Sequence, residues 1–205
     1  MQKPIYNILL FAFAFALCAC SNQDEASEYE NWQERNQLYV DSIAALANEG
    51  RDGWTKLLAF NLDATAESNN PSNNHYVYIQ KLQNGTGTEH PHYNDSVRVH
   101  YLGRLIPSTS YSQGYVFGKS YGSYVLNEAT DVPALLGVNQ NVDGFATAVM
   151  HMVEGDQWKL VIPYYLGYGE SDNSTSGIPA YSTLIFEAKL ARIYKYQVET
   201  NTTWH

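Results

Sequence analysis

Between Val97 and Leu190 the chain carries an ordered succession of short runs in which aromatic and branched apolar residues sit beside glycine turns. They are Val97-Arg-Val-His-Tyr-Leu-Gly103, Val116-Phe117, Val142-Asp-Gly-Phe145, Gly155-Asp-Gln-Trp-Lys-Leu-Val-Ile-Pro163, Leu166-Gly-Tyr168-Gly169 and Gly177-Ile178-Pro179-Ala-Tyr-Ser-Thr-Leu-Ile-Phe186-Glu187. Singly, each is ordinary strand and turn material. In this order they set apolar side chains where a shallow pocket forms between a sheet and a helix. The chemistry open to such a pocket is that of solvation: a largely apolar lining with one or two polar handles holds a ligand and orients it. The chain shows no nucleophile paired with a base. His90-Pro-His92 and His100 lack a Cys, Asp or Glu partner at ligand spacing. Gly85-Thr-Gly87 lacks the following helix that a phosphate cradle needs, and Asp172-Asn-Ser-Thr-Ser is a polar loop. Tyr168, between two glycines, is the clearest candidate for a functional hydroxyl, because a flexible loop rarely spends a tyrosine on packing alone.

Periodicity predicts the elements that must position these runs. His75 to Leu82 alternates as a strand, with Tyr76, Tyr78 and Gln80 on one side and Val77, Ile79 and Lys81 on the other. Val97, Val99 and Tyr101 alternate with Arg98, His100 and Leu102, which predicts a half-buried strand. Phe145 to Val153 contains no breaker; Phe145, Val149 and Met152 share one helical stripe, and Gly155 stops the helix. Gln157 to Ile162 and Thr183 to Ile193 are further strands, the second turning Leu184, Phe186, Ala188 and Leu190 inward. Upstream, Ser27-Glu-Tyr-Glu30 has the form of a capping box, followed by a helix face of Trp32, Asn36, Tyr39, Ile43 and Leu46 that ends near Gly50 or Gly53. Trp54 to Leu62 is a second short helix or a packed connector, and Ala64 to Asn74 is a linker by composition. Several antiparallel strands with one late helix make an α+β domain: a curved antiparallel β-sheet wrapped around one short α-helix, with an N-terminal helical extension. The polar Asn36 in the seam favours packing of that extension on its own domain, as a monomer, over pairing with a second copy.

The amino terminus has a charge-poor apolar run, Ile5 to Leu17, behind a single Lys3. It is too short to span a bilayer and suits an export signal. Leu17-Cys18-Ala19-Cys20 looks like a bacterial lipobox, so residues 1–19 are expected to be a signal peptide and Cys20 the lipidated residue. The organisation that follows is 20–74 as tether and helical extension, 75–195 as the sheet domain and 196–205 as a tail. The expected location is the cell envelope, anchored by lipid to the bacterial membrane on its periplasmic side or at the cell surface. Cys18 and Cys20 are the only cysteines, so the mature domain has no disulfide and depends on its core. The net charge is −9, and removing residues 1–19 takes away only Lys3, leaving 11 basic against 21 acidic residues, net −10. That balance argues against a nucleic-acid partner. It also leaves the acyl chains, not electrostatic attraction, to hold the protein at a membrane.

From His75 to Tyr194 the ordered runs resemble the FKBP-type (immunophilin) peptidyl-prolyl cis-trans isomerases, here in a bacterial lipoprotein form. The resemblance implies the FKBP-like fold and rotation about the amide bond before proline in proline-containing polypeptide segments, with no cofactor and no metal. That bond turns slowly because amide resonance must be broken, against a barrier of ~18–20 kcal/mol. The twisted transition state is less dipolar than the planar ground state, so an apolar cavity favours twisting. A hydrogen-bond donor on a flanking carbonyl holds one half of the peptide while the other rotates. Carried onto this sequence, the catalytic residues are Tyr168, Phe117 and Phe145. Tyr168 supplies the hydroxyl, Phe117 forms a wall with Tyr101, and Phe145 is the floor under the proline ring. Phe186 is a further wall, and Val142 offers its backbone amide at the head of the helix. Ile178 caps the site from the loop before Pro179, with Tyr181 beside it.

The chain departs from the family pattern at four places. Gly118 follows Phe117 where the family usually has Asp, Val132 stands for an expected aromatic, and Asn141 for a branched aliphatic. The segment from Leu105 to Val116 is several residues longer than is common. These changes make the pocket more open and more polar. The implied function is an exported, lipid-anchored isomerase that assists the folding of secreted or envelope proteins. The departures support an alternative, a catalytically weak FKBP-like peptide- or partner-binding module. The seventeen tyrosines suggest another, a surface glycan-binding lipoprotein.

Overall fold

The computed structural model describes residues 28–62 and 71–197. The leader, Cys20 and Ser27 lie outside those residues, as do most of the expected linker and the tail beyond 197. The chain runs α1 (Trp32–Glu49), β1 (Trp54–Leu58), β2 (Tyr76–Gln83), β3 (Ser96–Arg104), β4 (Val116–Lys119), β5 (Ala134–Gly137), α2 (Asp143–Val149), β6 (Gln157–Ile162) and β7 (Leu184–Tyr194). All the strands join one antiparallel sheet in the order β1-β2-β6-β7-β3-β4, with β5 beside β4 along the far edge of β3. Among the described residues no helix is long and apolar enough to cross a membrane.

Three expectations change. Trp54 to Leu58 is a strand, not a helix: Gly50 and Gly53 adopt left-handed backbone (φ 62° and 74°), reverse the chain after α1 and feed it onto β2 in the register Trp54↔Gln80. The sheet therefore begins before residue 75. Next, α1 starts at Trp32 behind a left-handed Asn31 (φ 52°), so Glu30 does not occupy the third helical position that a capping box requires. The Glu28 carboxylate accepts the Ser110 N–H at 3.1 Å instead, tying the chain before α1 to the long loop after β3. Finally, β3 is not half-exposed. His100 and Leu102 are buried along with Val97 and Val99, and the loop after β4 lays Tyr121 against His100 and anchors there through Glu128, whose carboxylate meets Lys189 Nζ at 2.6 Å.

Register shows how the helices share the sheet. Tyr78, Val161 and Ile185 are successive cross-strand partners on one face, where Tyr39 of α1 and Ile185 line the same surface hollow. Ile79, Leu160 and Phe186 are partners on the other face, where Phe186 meets Phe145 of α2. This double cover explains why Val77, Tyr78 and Ile79 are all buried despite their alternation. The seam of α1 is spent on its own sheet: Trp32, Asn36, Val40, Ile43 and Ala44 are buried, while Tyr39 and Leu46 lie at its margin. Each such aliphatic contributes roughly 1.5–3 kcal/mol by leaving water. α2 begins two residues before Phe145 and ends at Val149, yet Phe145, Val149 and Met152 are all buried as the stripe requires.

Candidate active site

Two glycines bring the aromatic rings together. Gly144 lets α2 lie against the sheet, since a Cβ there would stand 2.3 Å from Ile162 Cγ2. That close approach delivers Phe145 to Phe186 with ring centroids 5.0 Å apart. On β3, Gly103 faces Phe186 across the ladder; a Cβ there would fall 2.5 Å from Phe117 Cε2 and 2.8 Å from Phe186 Cε1. Phe117 fills the vacated space and meets Phe186 edge-on at 5.4 Å. Tyr101, two residues before Gly103 on the same face, lies 6.3 Å from Phe186. Its own position is set by a clasp: Tyr101 N–H donates to Ser120 Oγ and Ser120 N–H donates to Tyr101 O, both at 2.9 Å. Phe186 is thus the hub of an aromatic cluster, an arrangement worth roughly 0.5–1.5 kcal/mol per ring pair beyond burial.

Over this cluster opens a hollow of about 270 Å³ lined by Tyr101, Phe117, Val142, Phe145, Tyr168 and Phe186, with Gly118, Leu136, Gln140, Asn141 and Ser176 completing the rim. Six of the eight expected substrate-site residues therefore share one solvent-open cavity. Tyr168 stands 42% exposed at its mouth, in a turn where both Gly167 N–H and Gly169 N–H donate to Tyr164 O at 2.9 Å. Its pKa is raised by loss of solvent and further by Tyr101 nearby, so the phenol stays a neutral donor at ordinary pH. Among the described residues, neither the Tyr168 hydroxyl nor the Val142 N–H finds a hydrogen-bond partner. Val142 directly precedes α2, so its amide adds to the positive end of the helix.

Two expected residues stand elsewhere. Ile178 does not cap the site: left-handed Gly177 (φ 65°) and the bridge between Asn173 and Ile178 turn it inward, leaving it 1% exposed in the core. Tyr181 packs on Tyr164 at 5.2 Å, away from the hollow. Val132 is 70% exposed and forms no part of the wall; Leu136 of β5 lines it. Leu136, Gln140 and Ser176 were not anticipated as lining residues. The run Ala134-Leu-Leu-Gly137 before the α2 turn was a signal for the first of them, and the other two come from a short turn and a loop with no period to betray them. His90, His92 and His100 face different partners, namely Met152 O, Asp95 and the Tyr121 ring.

The model of the FKBP-type peptidyl-prolyl cis-trans isomerases matches residues 87–191, about half of the chain. The chain belongs to this family. It is 32% identical over 119 residues to an FK506-binding protein of Neisseria meningitidis serogroup B, covering 58% of this chain and 97% of that FKBP. It is 29% identical over 184 residues to a macrophage infectivity potentiator of Trypanosoma cruzi, covering 90% and 80% of the two. Some other FKBP-type relatives are longer, and the chain spans less than half of them. In fold, it is similar to a peptidyl-prolyl cis-trans isomerase from Pseudomonas syringae pv. tomato, with a TM-score of 0.56 at 22% identity over 82% of this chain and 96% of that one. The FKBP match begins after β2, so α1, β1 and β2 precede it.

Proposed function

We propose that this FKBP-type chain isomerises peptide bonds preceding proline, and that its clients are exported or envelope proteins met while lipid on Cys20 holds it to a bacterial membrane. The catalytic part is carried by one observation: three phenyl rings and two donors without a partner among the described residues converge on one open hollow. A prolyl ring seats on Phe145 between Phe117 and Phe186. The Val142 amide and the Tyr168 hydroxyl hold flanking carbonyls while the imide, drawn out of water, twists toward its less dipolar transition state. No proton moves and no covalent bond is made.

Acceleration of a prolyl tetrapeptide by the form lacking residues 1–19 tests this. Tyr168→Phe removes one donor and is expected to cost about tenfold in kcat/KM; Phe186→Ala, at the hub, costs more. A wild-type rate no higher than that of either variant rejects the enzyme. The anchor rests on the leader and on Leu17-Cys18-Ala19-Cys20. Incorporation of labelled palmitate that persists in Cys20→Ser rejects it. Gly118 favours a second reading, a module that binds prolyl segments and turns them slowly, since no carboxylate braces Tyr101. Saturable peptide binding without acceleration would select it.

A further inference from the structure

The helix that precedes the FKBP match is bonded into the loop that follows Tyr168. Trp32 and Asn36 of α1, both buried, reach Ser182 and Thr183 at the head of β7. Trp32 Nε1 donates to Ser182 Oγ at 2.8 Å, and Ser182 Oγ donates onward to Pro179 O at 2.7 Å. Asn36 Oδ1 accepts the Thr183 N–H at 2.7 Å, while its Nδ2 donates to Trp32 O at 2.7 Å. Burial makes these bonds expensive to leave unmade, and burial of Val40, Ile43 and Ala44 would hold the helix without them.

Immediately before this knot stands Tyr181 in left-handed backbone (φ 60°), a conformation that residues other than glycine keep only when their surroundings hold them there. Its N–H donates to Gly169 O at 2.9 Å, and its ring packs on Tyr164. Tyr164 O is the acceptor that closes the Tyr168 turn. The backbone on either side of Tyr168 is therefore held by its own turn and by Tyr181, and Tyr181 is held by the knot with α1.

We propose that Trp32 and Asn36 are positioning residues for the isomerase site: through Ser182 and Tyr181, the N-terminal helix sets where the Tyr168 hydroxyl stands. This rests on the reading of the hollow as a prolyl site. It makes α1 a working part of a site whose lining residues all come from β3 onward.

The test uses the full mature chain with Trp32→Phe, which keeps an aromatic ring but deletes the indole donor and part of the ring volume, and Ser182→Ala, which leaves the indole in place and cuts the same link from the other side. Amide exchange at Tyr181 is read by NMR, and kcat/KM is measured in both wild-type and Tyr168→Phe backgrounds. The expected result is faster exchange at Tyr181 and a loss of about three- to tenfold in kcat/KM, the range one hydrogen bond supplies, that disappears once Tyr168 is Phe. Unchanged exchange at Tyr181 in both variants overturns the proposal. So does an equal loss in the two backgrounds, which a merely stabilising helix would give. A wild-type chain that turns no prolyl peptide overturns the functional reading instead, and the exchange arm then supports or overturns the brace by itself.

Discussion

The floor and the rim of one hollow are built on opposite principles. Phe145 and Phe186 at the floor are 3% and 8% exposed, held by a helix stripe and a strand alternation, and they belong to the main core. Tyr168 at the rim is 42% exposed on a turn between two glycines and touches that core little. The floor cannot change without disturbing the fold. The rim is less tied to the core, and it holds Gly118 and Asn141, where the family resemblance leads to an expectation of Asp and a branched aliphatic. In this molecule binding surface comes from packing, while orientation comes from loops.

That contrast breaks first, if it breaks, at Phe145→Ala. Removing a buried ring should cost about 3–5 kcal/mol of stability along with activity, and a denaturant midpoint close to wild type would show that Phe145 is not part of the core. Gly103→Ala comes next. The added methyl has no room between Phe117 and Phe186, so overpacking of about 1–3 kcal/mol should accompany displaced rings and weaker prolyl-peptide binding. Tyr168→Phe sharpens the other side: activity falls while the melting midpoint moves by no more than about 0.5 kcal/mol equivalent, as for an exposed substitution.

The smallest effect is one of pH. Among the described residues lining the hollow, tyrosines are the only ones with a titratable side chain, so kcat/KM should be level from about pH 5.5 to 8. Stability should not be. Burial under the Tyr121 loop holds His100 below its ordinary pKa, with Lys189 adding to the shift and Glu128 and Asp131 opposing it. The unfolded chain therefore takes up a proton more readily than the folded one. Stability is full above about pH 6.5 and declines as pH falls below it. His100→Gln should flatten that decline in thermal melts, and an unaltered slope would place the proton elsewhere.

Sequence pattern reached the floor because periodicity encodes it. Leu184, Phe186, Ala188 and Leu190 alternate, and Phe145, Val149 and Met152 recur at helical spacing, so their burial could be read directly. Ile178 and Tyr181 were misplaced because their directions follow from single left-handed residues, Gly177 and Tyr181 itself, which turn a loop without leaving a repeat. β1 was hidden because Trp54-Thr-Lys-Leu-Leu58 alternates poorly as an edge strand with most of its side chains at least partly exposed. Asn36, the polar residue in the seam that favours packing on the chain's own domain, bonds the Thr183 N–H there.

The Trp32–Ser182 bond joins residues 150 positions apart. Synthesis proceeds from the amino end, so the indole donor stays bonded to water until the residues 150 positions further on have been made. Contacts this distant in sequence slow folding. A member of an isomerase family thus fastens its first helix only when β7 arrives.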